Sequence, residues 1–399
     1  MHLVEQHIIN QTDSRFAMID AAAFAAKNLY NAANYRVRQS FIHEGVYLNY
    51  HDMHRQMKDT EQYQALPRKV SQHVLMLLDR SWKSFFAAIK VYIEKPSAFT
   101  GRPGLPTYLD KTKGRYALVY TVQALSRPAL AQQVIRPSGL ALEVKTKQTR
   151  IAQVRIVPRS GFYVVEVIYE RDVVPAAVAP ALVAGIDVGL NNLAAITSNK
   201  PGFVPVLVNG RPLKHINQFY HKRTAQLQSK LGRKGSTRLM ERITNRRNRQ
   251  ITHYLHTHSR RMINMLVHEG IGVLIIGKND GWKQQIRIGR RNNQNFVQVP
   301  HARFIQMLQY KAELVGIVVH TINESHTSKC SFLDAEPIGH RERYVGTRVT
   351  RGMFRTAGGR RINADVNGSL NIIRKAIPVA FRQGIGGVVV HPVGIAPTN

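Results

Sequence analysis

The chain has 399 residues, 44% of them hydrophobic, and carries 57 Lys and Arg against 24 Asp and Glu, a formal net charge of +33. That length and hydrophobicity support two or three domains with real cores and exclude a disordered basic tail. The charge points to a polyanion, nucleic acid first, with ribosomal-type binding or an acidic membrane surface as alternatives; the lack of an apolar run of about 18 residues and of a signal peptide argues against the membrane.

Residues 1–10 read as a short strand (Leu3, Val4, Ile8, Ile9). From Ser14 to Ile93 the spacing turns helical. One Ala-rich helix carries Phe16, Ile19, Ala23, Leu29, Ala33, Val37 and Phe41, and a second, from Arg68, carries Val70, Val74, Leu77, Trp82, Phe85, Phe86, Ile89 and Tyr92. The aromatic stripe of the second helix fits core packing better than a base-stacking platform. Three prolines within 96–106 break the helices. Residues 108–170 then read as short strands (116–122, 140–144, 151–157, 162–169), the texture of a small β-barrel or sandwich. An apolar linker covers 173–180. Strands follow at 183–188, 193–196 and 204–208, a long helical region at 214–267 interrupted near 232–236, a strand at 271–276 and a polar loop at 283–295. A helix from Pro300, a strand at 317–322, a charged Gly-rich loop at 325–361 and a helix from about 363 to 375 complete the pattern. Residues 384–399 carry none and are expected to be disordered.

Two features bear on chemistry. Between Arg211 and Arg261 stand fourteen basic residues and one acid, Glu241. They are Arg211, Lys214, Lys222, Arg223, Lys230, Arg233, Lys234, Arg238, Arg242, Arg246, Arg247, Arg249, Arg260 and Arg261. Such a run repels itself unless phosphates neutralise it, which favours nucleic-acid contact over a solvated face. The second feature is Asp187, alone in an apolar strand, where a carboxylate is costly unless used or satisfied by the following turn. From residue 181 the order is three strands, helix, strand, helix, strand, helix, the α/β topology of the ribonuclease H fold. Enzymes of that fold gather carboxylates at one end of the sheet to hold two Mg²⁺ about 4 Å apart, one activating water and the other stabilising the leaving oxygen. Asp187, Glu324 just past the fifth strand, and Asp365 at the start of the last helix occupy suitable points. Each has a plain alternative, a helix cap for Asp365 and a surface charge for Glu324.

The segments Gly185-Ile-Asp-Val-Gly-Leu-Asn-Asn192, Asn245-Arg-Arg-Asn-Arg-Gln-Ile-Thr-His-Tyr-Leu-His256, Glu324-Ser-His-Thr-Ser-Lys-Cys-Ser331 and Asn363-Ala-Asp-Val-Asn-Gly-Ser-Leu-Asn-Ile372 resemble the motifs of the TnpB family. These are RNA-guided nucleases of insertion sequences with a RuvC-type domain, related to type V CRISPR effectors. Upstream, Gly101-Arg-Pro-Gly-Leu-Pro-Thr-Tyr108 resembles the entry to the family's β-barrel wedge domain. The resemblance implies a wedge strand at 1–12, a helical recognition lobe at 13–98, the rest of the wedge at 99–178, a RuvC-like nuclease domain at 179–378 with its insertion at 325–361, and a tail at 379–399. It implies Asp187, Glu324 and Asp365 as catalytic metal ligands, two Mg²⁺ (or Mn²⁺), a guide RNA from the transposon end, a double-stranded DNA target and no membrane partner. The location expected is cytoplasmic, at the nucleoid.

Two departures stand out. The family's second acid usually lies where this chain has Gly277. Asp280 lies in a Gly-flanked turn, so Glu324 is the better replacement, reaching from one strand further away. The family's zinc ribbon is reduced to Cys330, the sole cysteine, and His326, Cys330 and His340 are a weak set of ligands. No zinc is expected there, with Phe332, Tyr344 and Phe354 packing the loop instead. The leading expectation is an RNA-guided, Mg²⁺-dependent DNA endonuclease with the loop after Trp282 as a lid. Its rival is a nuclease-dead, RNA-guided repressor. A guide-independent nuclease or transposase fits the upstream modules less well.

Overall fold

The structure, a computed structural model, describes every residue except 233–234, 280–288, 290–292, 295–296, 383, 385–386 and 396–399. Arg233, Lys234, Asp280, Trp282 and most of the expected lid therefore lie outside the described residues. By its internal contacts the chain divides into two units, Met1–Arg171 and Asp172–Asn399.

In the first unit, β1 (His2–Asn10) pairs along its whole length, antiparallel, with β6 (Phe162–Glu170). Four helices lie between them in sequence: α1 (Phe16–Gln39), α2 (Tyr50–Met57), α3 (Glu61–Gln64) and α4 (Arg68–Glu94). With β2 (Leu118–Thr121) and β5 (Ile151–Arg159) the sheet order is β1-β6-β5-β2. The sheet is open, with β1 and β2 at its edges, where a barrel was expected. The stretch 140–144 is also not one strand. Leu140 and Leu142 are buried, but the Leu142 amide donates to the Leu140 carbonyl at 2.7 Å, a tight turn that leaves only β4 (Val144–Lys145) to pair with β3 (Val134–Ile135). The helices and the sheet share one hydrophobic core, in which Ile19, Leu29 and Trp82 join Tyr120, Val154 and Val165. Trp82 is fully buried and donates to Asn34 Oδ1 at 3.0 Å, so the aromatic stripe of α4 is core, as its spacing suggests.

The second unit is built on a sheet whose first three strands are β7 (Ala179–Asp187), β8 (Asn192–Ser198) and β9 (Val206–Asn209), mutually antiparallel. A helical hairpin follows, α6 (Arg211–Leu231) and α7 (Arg238–His268), numbered after the short α5 (Arg127–Ala131) of the first unit. Next come β10 (Ile271–Gly277), parallel to β7, then α8 (His301–Glu313), then β11 (Val318–Ile322), parallel to β10, and after the insertion α9 (Ala364–Ala376). The order β11-β10-β7-β8-β9, with three antiparallel strands and two parallel additions, is the ribonuclease H topology. Within the insertion, β12 (Thr347–Thr350), β13 (Met353–Arg355) and β14 (Arg361–Asn363) form a small antiparallel sheet. One element differs from expectation. The tail is not without structure, because β15 (Val393–Ile395) pairs parallel with β9 as a sixth strand and Val390 is buried. Three residues are too few to leave a periodic signal. Among the described residues no helix is long and apolar enough to cross a membrane.

Candidate active site

Asp187 ends β7, at the strand's carboxyl end. In the paired register Ile276 stands beside Ile186 and Ile322 beside Gly277, which places β10 between Asp187 and the β11 end from which Glu324 extends. With neighbouring strands about 4.8 Å apart, only a long side chain can return from there, and Gly277 lets it. A Cβ at position 277 would lie 2.6 Å from Glu324 Oε2 and 2.5 Å from Ile372 Cδ1. The space beside Asp187 that an acid at 277 would fill is occupied by Glu324. Asn279 holds the carboxylate in place, donating from Nδ2 to Glu324 Oε1 at 3.3 Å and accepting the Glu324 amide at 3.2 Å.

Asp365 arrives from the other side, in the first turn of α9. Asn363 caps that helix, its side chain accepting from the Asp365 and Val366 amides, so the cap is Asn363 and the Asp365 side chain is left for other partners. Its Oδ2 accepts from Asn192 at 2.8 Å and its Oδ1 from Arg348 of β12 at 3.3 Å. Two glycines allow α9 to approach. A Cβ at Gly368 would lie 2.7 Å from Asp187 Oδ2, and one at Gly185 would lie 2.6 Å from the Ser369 carbonyl. The buried amides of Asn367 and Asn371 tie α9 to the insertion, both donating to the Cys330 carbonyl, while Asn367 accepts the Phe332 amide.

The electrostatics follow from this crowding. Burial, then the negative charges of Glu324 and Asp365, raise the Asp187 carboxyl well above the usual range, with Arg348 opposing. Burial pushes Glu324 up to about 7, with Lys375 pulling the other way. Glu324 Oε2 is buried without a hydrogen-bond partner. A shielded carboxylate oxygen with no donor costs on the order of 1–3 kcal/mol or more, and a divalent cation is the group that would relieve it and Asp187 together. Among the described residues no three His, Cys, Asp or Glu side chains stand close enough to share one ion. Asp187, Glu324 and Asp365 would offer hard oxygen donors of the kind Mg²⁺ selects. The donor set fits.

Three functional candidates were not singled out from the sequence: Asn192, Asn279 and Arg348. Asn192 lies inside the first quoted motif and Asn279 just past Gly277. Arg348 sits on β12, a four-residue strand with no periodic signal inside the segment 325–361 that the sequence presents as a loop. In the insertion, Cys330 is fully buried and directs its thiol at the Pro337 carbonyl (3.6 Å), and the His326 and His340 rings meet edge-on at 5.7 Å. Phe332 and Phe354 are buried in one cluster with Ile362, Val366 and Leu370. Tyr344 is half-buried, its hydroxyl 3.1 Å from His326 Nδ1.

The basic residues separate into two kinds. Lys222, Arg223, Lys230, Arg238, Arg242, Arg246 and Arg249 are exposed on α6 and α7, and Arg260 and Arg261 are half-buried. Arg247 is a brace, donating to Asn217 Oδ1 at 2.9 Å and Gln298 Oε1 at 2.9 Å with its guanidinium over the Tyr220 ring.

Residues 163–283 match the OrfB_IS605 family, described as "Probable transposase", and residues 301–372 match the Cas12f1-like TNB domain. A curated relative, the TnpB-like protein ORF457 of Acidianus two-tailed virus, is 23% identical over 402 aligned positions, covering 89% of this chain and 82% of the relative. Among solved structures, a CRISPR-Cas12f ternary complex aligns with 13% identity and a TM-score of 0.39, covering 89% of this chain and 80% of that one. The mini RNA-guided endonuclease CRISPR-Cas_phi3 aligns with 10% identity and a TM-score of 0.45, covering 98% and 94%. The first nuclease motif and the basic helices lie inside one matched segment, and Glu324 and Asp365 inside the other, so the chain is similar to TnpB-type proteins over the stretches that carry these residues.

Proposed function

We propose that this protein is an RNA-guided DNA endonuclease of a transposable element, hydrolysing phosphodiester bonds next to a short flanking motif with divalent metal ions held by Asp187, Glu324 and Asp365. The observation that carries the reading is Glu324 filling the space over Gly277 with one buried oxygen unpartnered. Two Mg²⁺, or Mn²⁺, bound there would supply an activated water and stabilise the leaving oxygen. The chain's own part is to arrange the donors. Asp187 stands between the other two acids, Asn279 fixes Glu324 and Asn192 fixes Asp365. Arg348, with about half of its side chain exposed, has donors left for a non-bridging phosphate oxygen.

In this reading the exposed basic face of α6 and α7 tracks a guide–target heteroduplex by its backbone, and base pairing reads the sequence. The sheet of the first unit acts as the wedge (1–12 and 99–178) and its helices (13–98) as the recognition lobe, receiving the guide RNA and the flanking motif. The rival is a nuclease-dead repressor, which draws its support from Gly277; Glu324 lying over Gly277 favours the nuclease reading.

The test is incubation of the purified RNA–protein complex with a target plasmid and Mg²⁺. Cleavage by the wild type, lost in Asp187→Ala and Glu324→Ala, is expected. Binding without cleavage would sink the nuclease reading, and a Glu324→Ala variant that cuts as the wild type does would remove that residue from the site.

A further inference from the structure

The basic hairpin has a second feature that backbone contact does not explain. Between α6 and α7 lies a groove of about 570 Å³ with an apolar floor that includes Phe219, Tyr220, Leu239 and Ile243, and with Arg223 and Arg246 among its walls. Phe219 is 61% exposed and Leu239 37%, although only Leu213 and Asn217 of α6 are buried. The Tyr220 ring is held by the Arg247 guanidinium 5.5 Å above it, itself anchored on Asn217 and Gln298. The aromatic wall is thus preformed, and an exposed phenyl beside it has no packing role. An apolar slot flanked by cations calls for an occupant that is flat and apolar in its body and anionic at its edge.

We propose that this groove binds an unpaired nucleotide of an RNA or DNA strand, its base against Phe219 and Tyr220 and its phosphates against Arg223 and Arg246. The inference rests on the reading above that these helices hold nucleic acid, and it adds a sequence-tolerant stacking site distinct from the acids. The fourteen-to-one excess of basic over acidic residues between Arg211 and Arg261 favours a polyphosphate strand over a second protein surface. A duplex does not fit, because its bases are stacked inside and must be splayed out to meet a ring.

Two measurements on the full-length protein test this. A single-stranded RNA carrying 5-iodouracil, irradiated in the complex, is expected to crosslink to Phe219 or Tyr220 on peptide mapping. Fluorescence anisotropy with a fluorescein-labelled 20-nucleotide RNA is expected to show Phe219→Ala binding roughly 5- to 100-fold more weakly with its salt dependence unchanged. Phe219→Leu keeps apolar area without a ring and should bind as weakly, whereas Phe219→Trp should bind as the wild type does. A leucine variant of wild-type affinity, or crosslinks that avoid both residues, would overturn the proposal. So would a dimer, seen by sedimentation, that Phe219→Ala dissolves without changing RNA affinity. Neither readout needs cleavage: crosslinking by a protein that does not cut sinks the nuclease reading alone, and cutting without crosslinks sinks this one alone.

Discussion

At the scale of single residues, a side chain at position 277 and the Glu324 carboxylate compete for one space, and only one can be in place. Gly277→Ala sets a methyl group 2.6 Å from Glu324 Oε2 and 2.5 Å from Ile372 Cδ1. It should cost about 1–3 kcal/mol in urea denaturation and displace the acid, so cleavage should fall. Combining Gly277→Glu with Glu324→Ala empties the contested space before refilling it, and should cut plasmid better than Glu324→Ala alone. No spacing in the sequence says that a side chain two residues past one strand fits over the neighbouring strand's last residue. Glu324 was legible as a candidate, while its fit depended on the missing Cβ. Lys311 makes a separate prediction. It is buried, donating to the His256 carbonyl and Ser259 Oγ, and burial, with Arg260 adding, lowers it from 10.5 to about 8. Between those values the unfolded chain binds more protons, so stability should climb as pH rises from 8 to 10.5. Below pH 8 the penalty, on the order of 3 kcal/mol, is present in full. Lys311→Met should flatten that slope and raise stability at pH 7, as measured by denaturation at both ends of the window.

At the scale of elements, the helical hairpin divides its labour along its length. The buried residues of α7 begin at Ile251, so its first turns, from Arg238, carry charge without carrying the core. Removing an exposed cation there, as in Arg242→Ala, should lower the slope of log affinity against log salt by about 0.7–0.9 at little cost in stability. Arg247→Ala should instead lower the melting temperature, because its guanidinium bridges Asn217 and Gln298. On α9, Asn367→Ala leaves the buried Phe332 amide without its acceptor and should cost about 1–3 kcal/mol. β7, which carries Asp187, and β10 were legible as apolar runs bounded by turn residues, β11 before Glu324 as a short β-branched run, and α9, which carries Asp365, from the Asn363 cap and the stop at Pro378. What was not legible shared a cause. β15 is too short for periodicity, the Leu140–Leu142 turn imitates strand alternation, and Arg348 lies on the four-residue strand β12, whose position only the fold determines.

At the scale of the molecule, the first unit has a core of its own, from Ile9 to Val167, and β1 completes its sheet. A fragment ending at Arg171 should therefore fold alone and show one cooperative thermal transition by circular dichroism. The second unit is organised differently: its sheet pairs β9 with β15 across almost two hundred residues, and its acids come from positions 187, 324 and 365. That separation matters while the chain is being made. At ordinary elongation rates, roughly 10–40 s pass between the emergence of residue 171 and that of residue 365. For that interval the growing chain presents a folded first unit and a basic hairpin but no complete set of acids. On the function proposed above, cutting would have to wait until synthesis had passed residue 365, and a product truncated before it would hold nucleic acid without damaging it.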